Sequence, residues 1–281
     1  MSAQIINGRS LAAGILEQAR LAVARLPEAP GLAAVLVGDD PASHIYVGLK
    51  EKACHEAGIN FIKVVLRADV GQARLLEVIA DLDARPGIHA ILLQLPLPVG
   101  YDYDVNEAVA AIDPKKDVDG FHPDNLALLR QGKPRIVPGL ASGIVELIKK
   151  TEATLTGLSA LVVANSEVFF EPLALALEQI GVSAAFRFAK DEDLAKATCQ
   201  ADIVIVAAGR PKLITGGMIK PGAIIIDAGT NRTAQGVVGD VDRQSVASLA
   251  GFITPVPGGV GPMTVAMVVK NCIELARAQM E

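Results

Sequence analysis

The strongest constraint on this chain is a series of short, unbroken aliphatic runs separated by segments of helical periodicity. Residues 32–37, 61–66 and 88–93 form one set of runs, and residues 160–164, 184–188, 203–207 and 223–227 form a second. A run that is apolar at nearly every position reads as a strand covered on both faces, which is the signature of a parallel sheet. Between the runs, Asp39, Asp40 and Pro41 read as the start of a helix that reaches Ala57 and stops at Gly58. Residues 72–84 place Leu75, Leu76, Ile79 and Leu82 on one helical side. Further helices are expected over 143–150, 172–180 and 191–197, and from Pro262 to about Gln279. Strands and helices alternating at this spacing predict an α/β fold of two lobes. The first is an N-terminal α/β catalytic lobe, residues 1–138, with the C-terminal helix 263–281 packing back on it. The second is a Rossmann-like parallel-sheet lobe, residues 139–262. In such folds ligands lie beyond the carboxyl ends of the strands, so residues just after strands carry the functional weight.

Composition narrows the chemistry. Half the residues are apolar but Trp is absent and aromatics make up only 4%, so the core must be built from Ala, Val, Leu and Ile. The net charge of −5 includes no basic block, which removes the electrostatic footprint of a nucleic-acid binder and of a polybasic membrane contact. No apolar run approaches the roughly 18–20 residues of a bilayer span, and the first twelve residues do not read as a signal peptide. Cys54, Cys199 and Cys272 are odd in number and far apart, fitting neither a disulfide framework nor a zinc site. His44, His55, His89 and His122 show no metal-ligand spacing and read as surface or loop residues. A cytoplasmic protein without a metal is expected.

Tyr46 and Lys50 stand four apart on the helix after the first strand and share a face. Gln94 follows the third strand, and Asp117 and Asp119 lie in the polar loop 113–122. Such a set suits a flat, nitrogen-rich ligand: Tyr stacks, Asp accepts from an amino-amidine edge, and Lys with Gln handles a proton or a water. Taken singly, each residue has a plain structural reading, and Asp117 is read as structuring its own loop.

The surrounding segments carry more. Val37-Gly38-Asp39-Asp40-Pro41-Ala42-Ser43 leads into Tyr46-Val47-Gly48-Leu49-Lys50. Gln94-Leu95-Pro96-Leu97-Pro98, Lys116-Asp117-Val118-Asp119-Gly120-Phe121-His122 and Thr254-Pro255-Val256-Pro257-Gly258-Gly259-Val260-Gly261-Pro262-Met263-Thr264 follow in order. In this order and spacing the chain resembles the bifunctional methylenetetrahydrofolate dehydrogenase/methenyltetrahydrofolate cyclohydrolase family over nearly its whole length. The resemblance implies one-carbon metabolism on a tetrahydrofolate derivative, with Lys50 central to the hydrolysis of the methenyl cation and Gln94 holding it. It implies that Tyr46 orients the folate and Asp119 binds the pterin edge. Pro257, Gly258 and Gly259 would wall the place where folate meets nicotinamide. It also implies a homodimer and NADP or NAD as cofactor, with Asn165, Ser166 and Thr230 the positions that match the dinucleotide site.

At that last site the chain departs from the family. Where the resemblance calls for a Gly-Arg-Ser stretch followed by Val-Gly, the sequence reads Ala164-Asn165-Ser166-Glu167-Val168-Phe169-Phe170-Glu171-Pro172. Glycines that let backbone approach a pyrophosphate are missing. Phe169 and Phe170 add bulk, and Glu167 and Glu171 add negative charge. Asn165 replaces an arginine, and Ala189 stands near an expected serine, with Arg187 and Lys190 as candidate substitutes. Pro138-Gly139-Leu140-Ala141 replaces Pro-Cys-Thr-Pro at the lobe junction. The expectation is a working cyclohydrolase whose dehydrogenase activity is weakened or lost. The alternatives are the full bifunctional enzyme and a non-catalytic folate-binding or partner-binding protein.

Overall fold

A computed structural model describes residues 2–167, 170–234 and 236–281. The described elements begin with β1 (Gln4–Ile5), α1 (Gly8–Val23), β2 (Gly31–Val37), α2 (Pro41–Ala57), β3 (Asn60–Leu66), α3 (Gln72–Asp83), β4 (Ala90–Leu93), α4 (Val105–Ala110) and α5 (Pro123–Arg130). They continue with α6 (Gly139–Lys149), β5 (Ser159–Ala164), α7 (Phe170–Glu178), β6 (Ser183–Phe188), α8 (Leu194–Thr198), β7 (Ile203–Ala207) and β8 (Ile224–Asp227). The hairpin strands β9 (Asn231–Thr233) and β10 (Gly236–Val238), then α9 (Arg243–Val246), β11 (Phe252–Ile253) and α10 (Val260–Met280), complete the order.

The chain divides into two compact lobes. The first comprises Ala13–Gly139 and Val265–Glu281; the second comprises Leu140–Thr264 and the stretch up to Ala12. The expectation had placed the first twelve residues with the first lobe. Instead β1 runs parallel to β11, Gln4 opposite Phe252 and Ile5 opposite Ile253, which carries them into the second. A two-residue strand has no sequence signature of its own; its partner decides where it lies.

The first lobe is built on a parallel sheet ordered β3-β2-β4. Its centre, β2, is buried at every position, as its unbroken aliphatic run requires. Leu32, Ala34, Ala90 and Leu92 pack with Val265, Val268, Val269, Cys272 and Ile273 of α10 in one core cluster. The last helix therefore closes this lobe. Asn271 Nδ2 donates to Val118 O at 3.1 Å and to Val137 O at 3.0 Å, and Gln279 Nε2 donates to His89 O at 2.8 Å.

The second lobe holds a six-stranded sheet ordered β1-β11-β8-β7-β5-β6, with every pairing parallel. Counted from β5, the strands run outward on one side to β6 and on the other to β7, β8 and β11. That is the reversal of direction found in doubly wound dinucleotide folds. α7 starts two residues earlier than expected, and Pro172 falls in its first turn, where a missing N–H costs nothing. α10 likewise starts at Val260, inside the Pro/Gly stretch. Among the described residues, no helix is long and apolar enough to cross a membrane.

Candidate active site

In the first lobe the site grows from one helix. Asp40 caps α2, its Oδ2 accepting the Ser43 N–H at 2.7 Å, and Pro41 fills the first turn. Gly58, with φ +83°, closes the far end. Between the caps, Ser43, Val47, Lys50, Cys54 and Ala57 form the buried stripe, at spacings of three and four that place them on one face. Lys50 therefore occupies a core position and is only 6% exposed. Tyr46 lies one turn before it and is half-buried.

Gln94 meets Lys50 from the end of β4. Its N–H donates to Val35 O at 2.9 Å and so extends the sheet by one residue. Its Nε2 donates to Leu95 O at 2.7 Å, which turns Oε1 toward the ammonium, and Lys50 Nζ donates to Oε1 at 3.0 Å. Burial pushes the Lys50 pKa below its ordinary value, and Asp119 pulls it partway back. Asp119 itself is half-buried. Burial raises its carboxyl, Lys50 opposes that rise and Asp117 adds to it. Lys50, Gln94 and Asp119 are thus brought together as one electrostatic group.

Asp117 has the structural role read for it. Oδ1 accepts Gly120 N–H at 3.0 Å, and Oδ2 accepts His122 N–H at 2.7 Å and Asn125 Nδ2 at 3.0 Å. These bonds shape the turn that presents Asp119. His89 and His122 are buried rather than on the surface. His89 Nδ1 accepts Gly31 N–H at 3.0 Å, and His122 caps α5 through Asp124 N–H at 3.0 Å. Among the described residues no group of His, Cys, Asp or Glu could hold a metal ion. Cys54 escaped the sequence reading. One turn beyond Lys50 in the same buried stripe, its thiol is pushed up to about 12, first by burial, with Lys50 opposing the rise. The i, i+4 spacing from Lys50 was the available signal.

Pro257, Gly258, Gly259, Asn165, Ser166 and Thr230 all belong to the second lobe. The Val256–Pro257 peptide is cis and Gly258 has φ +109°. A methyl on Gly259 would come within 2.6 Å of Pro255 O and 2.8 Å of Thr254 Cβ, so only glycine fits. Asn165, Ser166 and Glu167 are exposed at the end of β5, and Asn165 Nδ2 donates to Ala208 O at 2.5 Å, tying the loop after β5 to the loop after β7. Phe170 is packed on β6, its ring centroid 5.4 Å from that of Phe186, so its bulk is taken up by the sheet. Phe169, on which part of the expected obstruction rested, lies outside the described residues. A dinucleotide at this end of the sheet would be held by Asn165 and Ser166 after β5 and by the cations Lys190 and Arg210 near the end of β6, with Glu167 and Glu171 the acids beside it.

Two buried carboxylates, Asp240 and Asp227, organise the same end of the sheet. Asp240 accepts Ala208 N–H at 2.6 Å and Gly209 N–H at 3.0 Å on Oδ2, and Arg210 N–H and Asn231 Nδ2, both at 2.8 Å, on Oδ1. Asp227 accepts Gly229 N–H and Asp240 N–H on Oδ1 and Val241 N–H on Oδ2, each at 3.0 Å. Its own N–H donates to Thr254 Oγ1 at 2.8 Å. A side chain at Gly239 would collide with the Asp227 carboxylate.

Burial, reinforced by Asp240, raises the Asp227 carboxyl from 3.8 to about 6 against the pull of its backbone donors. The folded lobe binds that proton more tightly than the unfolded chain does, so this group's contribution to stability falls as pH rises through that window. Asp227→Asn lacks the titration. Denaturation midpoints measured from about pH 4 to pH 7 are expected to show the variant gaining on the wild type; a constant gap would contradict the assignment.

The fold and these sites define a class: a two-lobed α/β protein with a desolvated lysine centre in one lobe and a dinucleotide-type sheet in the other. Comparison with known proteins narrows it. The tetrahydrofolate dehydrogenase/cyclohydrolase catalytic domain matches residues 6–119, and the NAD(P)-binding domain of the same family matches residues 138–280. The bifunctional protein FolD of Desulfovibrio desulfuricans is 45% identical over 96% of this chain and 97% of its own length. The crystal structure of the bifunctional FolD of Campylobacter jejuni superposes with a TM-score of 0.92 at 38% identity, covering 99% of both chains. The Trypanosoma brucei FolD, solved with NADP cofactor and an inhibitor, does so with a TM-score of 0.92 at 34% identity and the same coverage. The chain belongs to the FolD family of bifunctional methylenetetrahydrofolate dehydrogenase/cyclohydrolases.

Proposed function

We propose that this chain carries both activities of its family, oxidising 5,10-methylenetetrahydrofolate with NADP+ and hydrolysing the resulting methenyl cation to 10-formyltetrahydrofolate. The observation that carries the hydrolytic half is the buried Lys50 Nζ held 3.0 Å from Gln94 Oε1 with Asp119 beside it. A cationic substrate disfavours a second cation next to it, which lowers the lysine pKa beyond what burial does alone. The neutral amine keeps one N–H on Gln94 and turns its lone pair to a water. As the water oxygen bonds to the one-carbon bridge, Lys50 takes one proton. The second proton passes to N5 as the N5–carbon bond breaks, leaving the formyl group on N10. Asp119 accepts from the pterin's amino-amidine edge and Tyr46 stacks on or orients the ring. Pro257, Gly258 and Gly259 form a close-packed backbone wall for the nicotinamide end, and Asn165, Ser166 and Thr230 contact the dinucleotide. NADP+ supplies the hydride acceptor when bound.

The altered loop after β5 favoured a weakened dehydrogenase. Two observations favour the bifunctional reading over it: Phe170 is packed on Phe186, and the relatives matched end to end are bifunctional. The open edge strand β6 of the second-lobe sheet leaves room for the pairing of two copies, and the assembly is read as a homodimer.

Two assays on the purified chain test the reading: nicotinamide reduction with methylenetetrahydrofolate, and loss of methenyltetrahydrofolate absorbance against a buffer blank. Both are expected to exceed the blank. No reduction of either NADP+ or NAD+ would remove the dehydrogenase half, and a hydrolysis rate equal to buffer would remove the other. Inactivity in both with retained folate binding would leave a binding protein. Solution mass by light scattering checks the dimer.

A further inference from the structure

In a doubly wound sheet the second strand ends beside the adenosine ribose, and the charge placed there decides between a free 2′-hydroxyl and a 2′-phosphate. In this chain that strand is β6, the outer neighbour of β5. Two of the three acids in the turn that follows are committed. Asp191 Oδ2 accepts Phe188 N–H at 2.9 Å, and Asp193 faces Arg187 Nε at 3.6 Å. Glu192 is exposed.

Two cations occupy the position. Lys190 Nζ sits 5.7 Å from the centroid of the Phe188 ring. Arg210 arrives from across the crevice, from the loop after β7. Asp240 fixes its backbone through the Arg210 N–H at 2.8 Å, and its guanidinium Nη1 donates to Ala189 O at 2.9 Å. The side chain is thus anchored at both ends, which reduces the ordering cost of gripping a ligand. One N–H group faces Ala189, and the guanidinium carries five donors in a fork suited to phosphate oxygens.

We propose that Arg210 and Lys190 form a clamp for a phosphate on the 2′-oxygen of the adenosine ribose, so that the second lobe selects NADP over NAD. The clamp rests on the dehydrogenase reading and names the residues that would set its cofactor choice. Arg210 is held by Asp240 and by Ala189 O, both outside the loop after β5.

Calorimetric titration of the full chain with adenosine 2′,5′-bisphosphate and, in parallel, with adenosine 5′-monophosphate separates the outcomes without using activity. The wild type is expected to bind the bisphosphate about tenfold or more tightly than the monophosphate, as suits charge-assisted bonds to one extra phosphate. Arg210→Gln and Lys190→Gln are each expected to lose about tenfold for the bisphosphate and little for the monophosphate, and the preference shrinks as salt rises. Equal affinity of the wild type for the two probes would overturn the clamp and leave the dehydrogenase reading standing. So would an Arg210→Gln variant that weakens both probes alike, since the arginine would then only brace its loop. Binding of neither probe would take down the dinucleotide reading together with the clamp.

Discussion

Lys50→Met is expected to bring methenyl hydrolysis down to the buffer rate, a loss of roughly 10²–10⁴-fold, the usual worth of a positioned general base. The thermal midpoint is not expected to fall. Methionine keeps the length of the side chain in the buried stripe of α2 and removes the ammonium whose desolvation the fold otherwise bears. Lys50→Arg separates two explanations. Arginine keeps the positive charge but does not give up its proton, so a base mechanism predicts an inactive variant. Retained hydrolysis in Lys50→Arg would sink the base role in favour of simple charge. The pH dependence carries a sign. Because burial holds the Lys50 pKa below 10.5, the unfolded chain binds that proton more tightly. Stability from this group therefore rises as pH climbs from the lowered value toward 10.5, and Lys50→Met lacks that gain. Wild-type hydrolysis rises over the lower part of the same window as the amine becomes neutral.

Asp240→Ala is expected to be the most damaging single substitution in the second lobe. It strips the partner from three backbone N–H groups and leaves the Asn231 amide with Val238 O alone, and Asp240 is completely buried. Unsatisfied buried donors cost about 1–3 kcal/mol each when no water replaces the acceptor. With partial relaxation, roughly 3–5 kcal/mol is expected overall, near the top of what single substitutions do. Asp240→Asn keeps one acceptor oxygen and should fall between. Chemical denaturation followed by circular dichroism measures both. A loss below about 1 kcal/mol for the alanine variant would mean that the loops after β7 and β8 hold their shape without the carboxylate.

Much of the first lobe could be read from the sequence because its signals are local. The aliphatic run of β2 is buried throughout, and the caps of α2 lie where Asp40, Pro41 and Gly58 place them. Lys50 was legible through the segment Tyr46-Val47-Gly48-Leu49-Lys50 and the resemblance it carries; its place in the buried stripe with Ser43, Val47, Cys54 and Ala57 shows in the structure. What escaped depended on partners distant in sequence. β1 exists only because β11 lies beside it. The bonds that make Asp240 matter come from residues 30 to 32 positions earlier, and no periodicity reports them. The place of Phe170 was hidden for the same reason: its ring packs on Phe186 of β6, a contact that the loop sequence does not report.

The route of the chain through the first lobe bears on its synthesis. A core that needs Val265, Val268, Val269, Cys272 and Ile273 against Leu32 and Leu92 cannot close while the ribosome is still working through the intervening residues. At about 5–20 residues per second that delay is on the order of ten to thirty seconds. Throughout it the nascent chain displays β2 and β4 without their cover, and the loop bearing Asp119 lacks the Asn271 staple. The second lobe, complete by Thr264, has all its strands earlier. The first lobe, most of which is synthesised by Gly139, is therefore finished last, and it is the part exposed to chaperones and proteases while it waits.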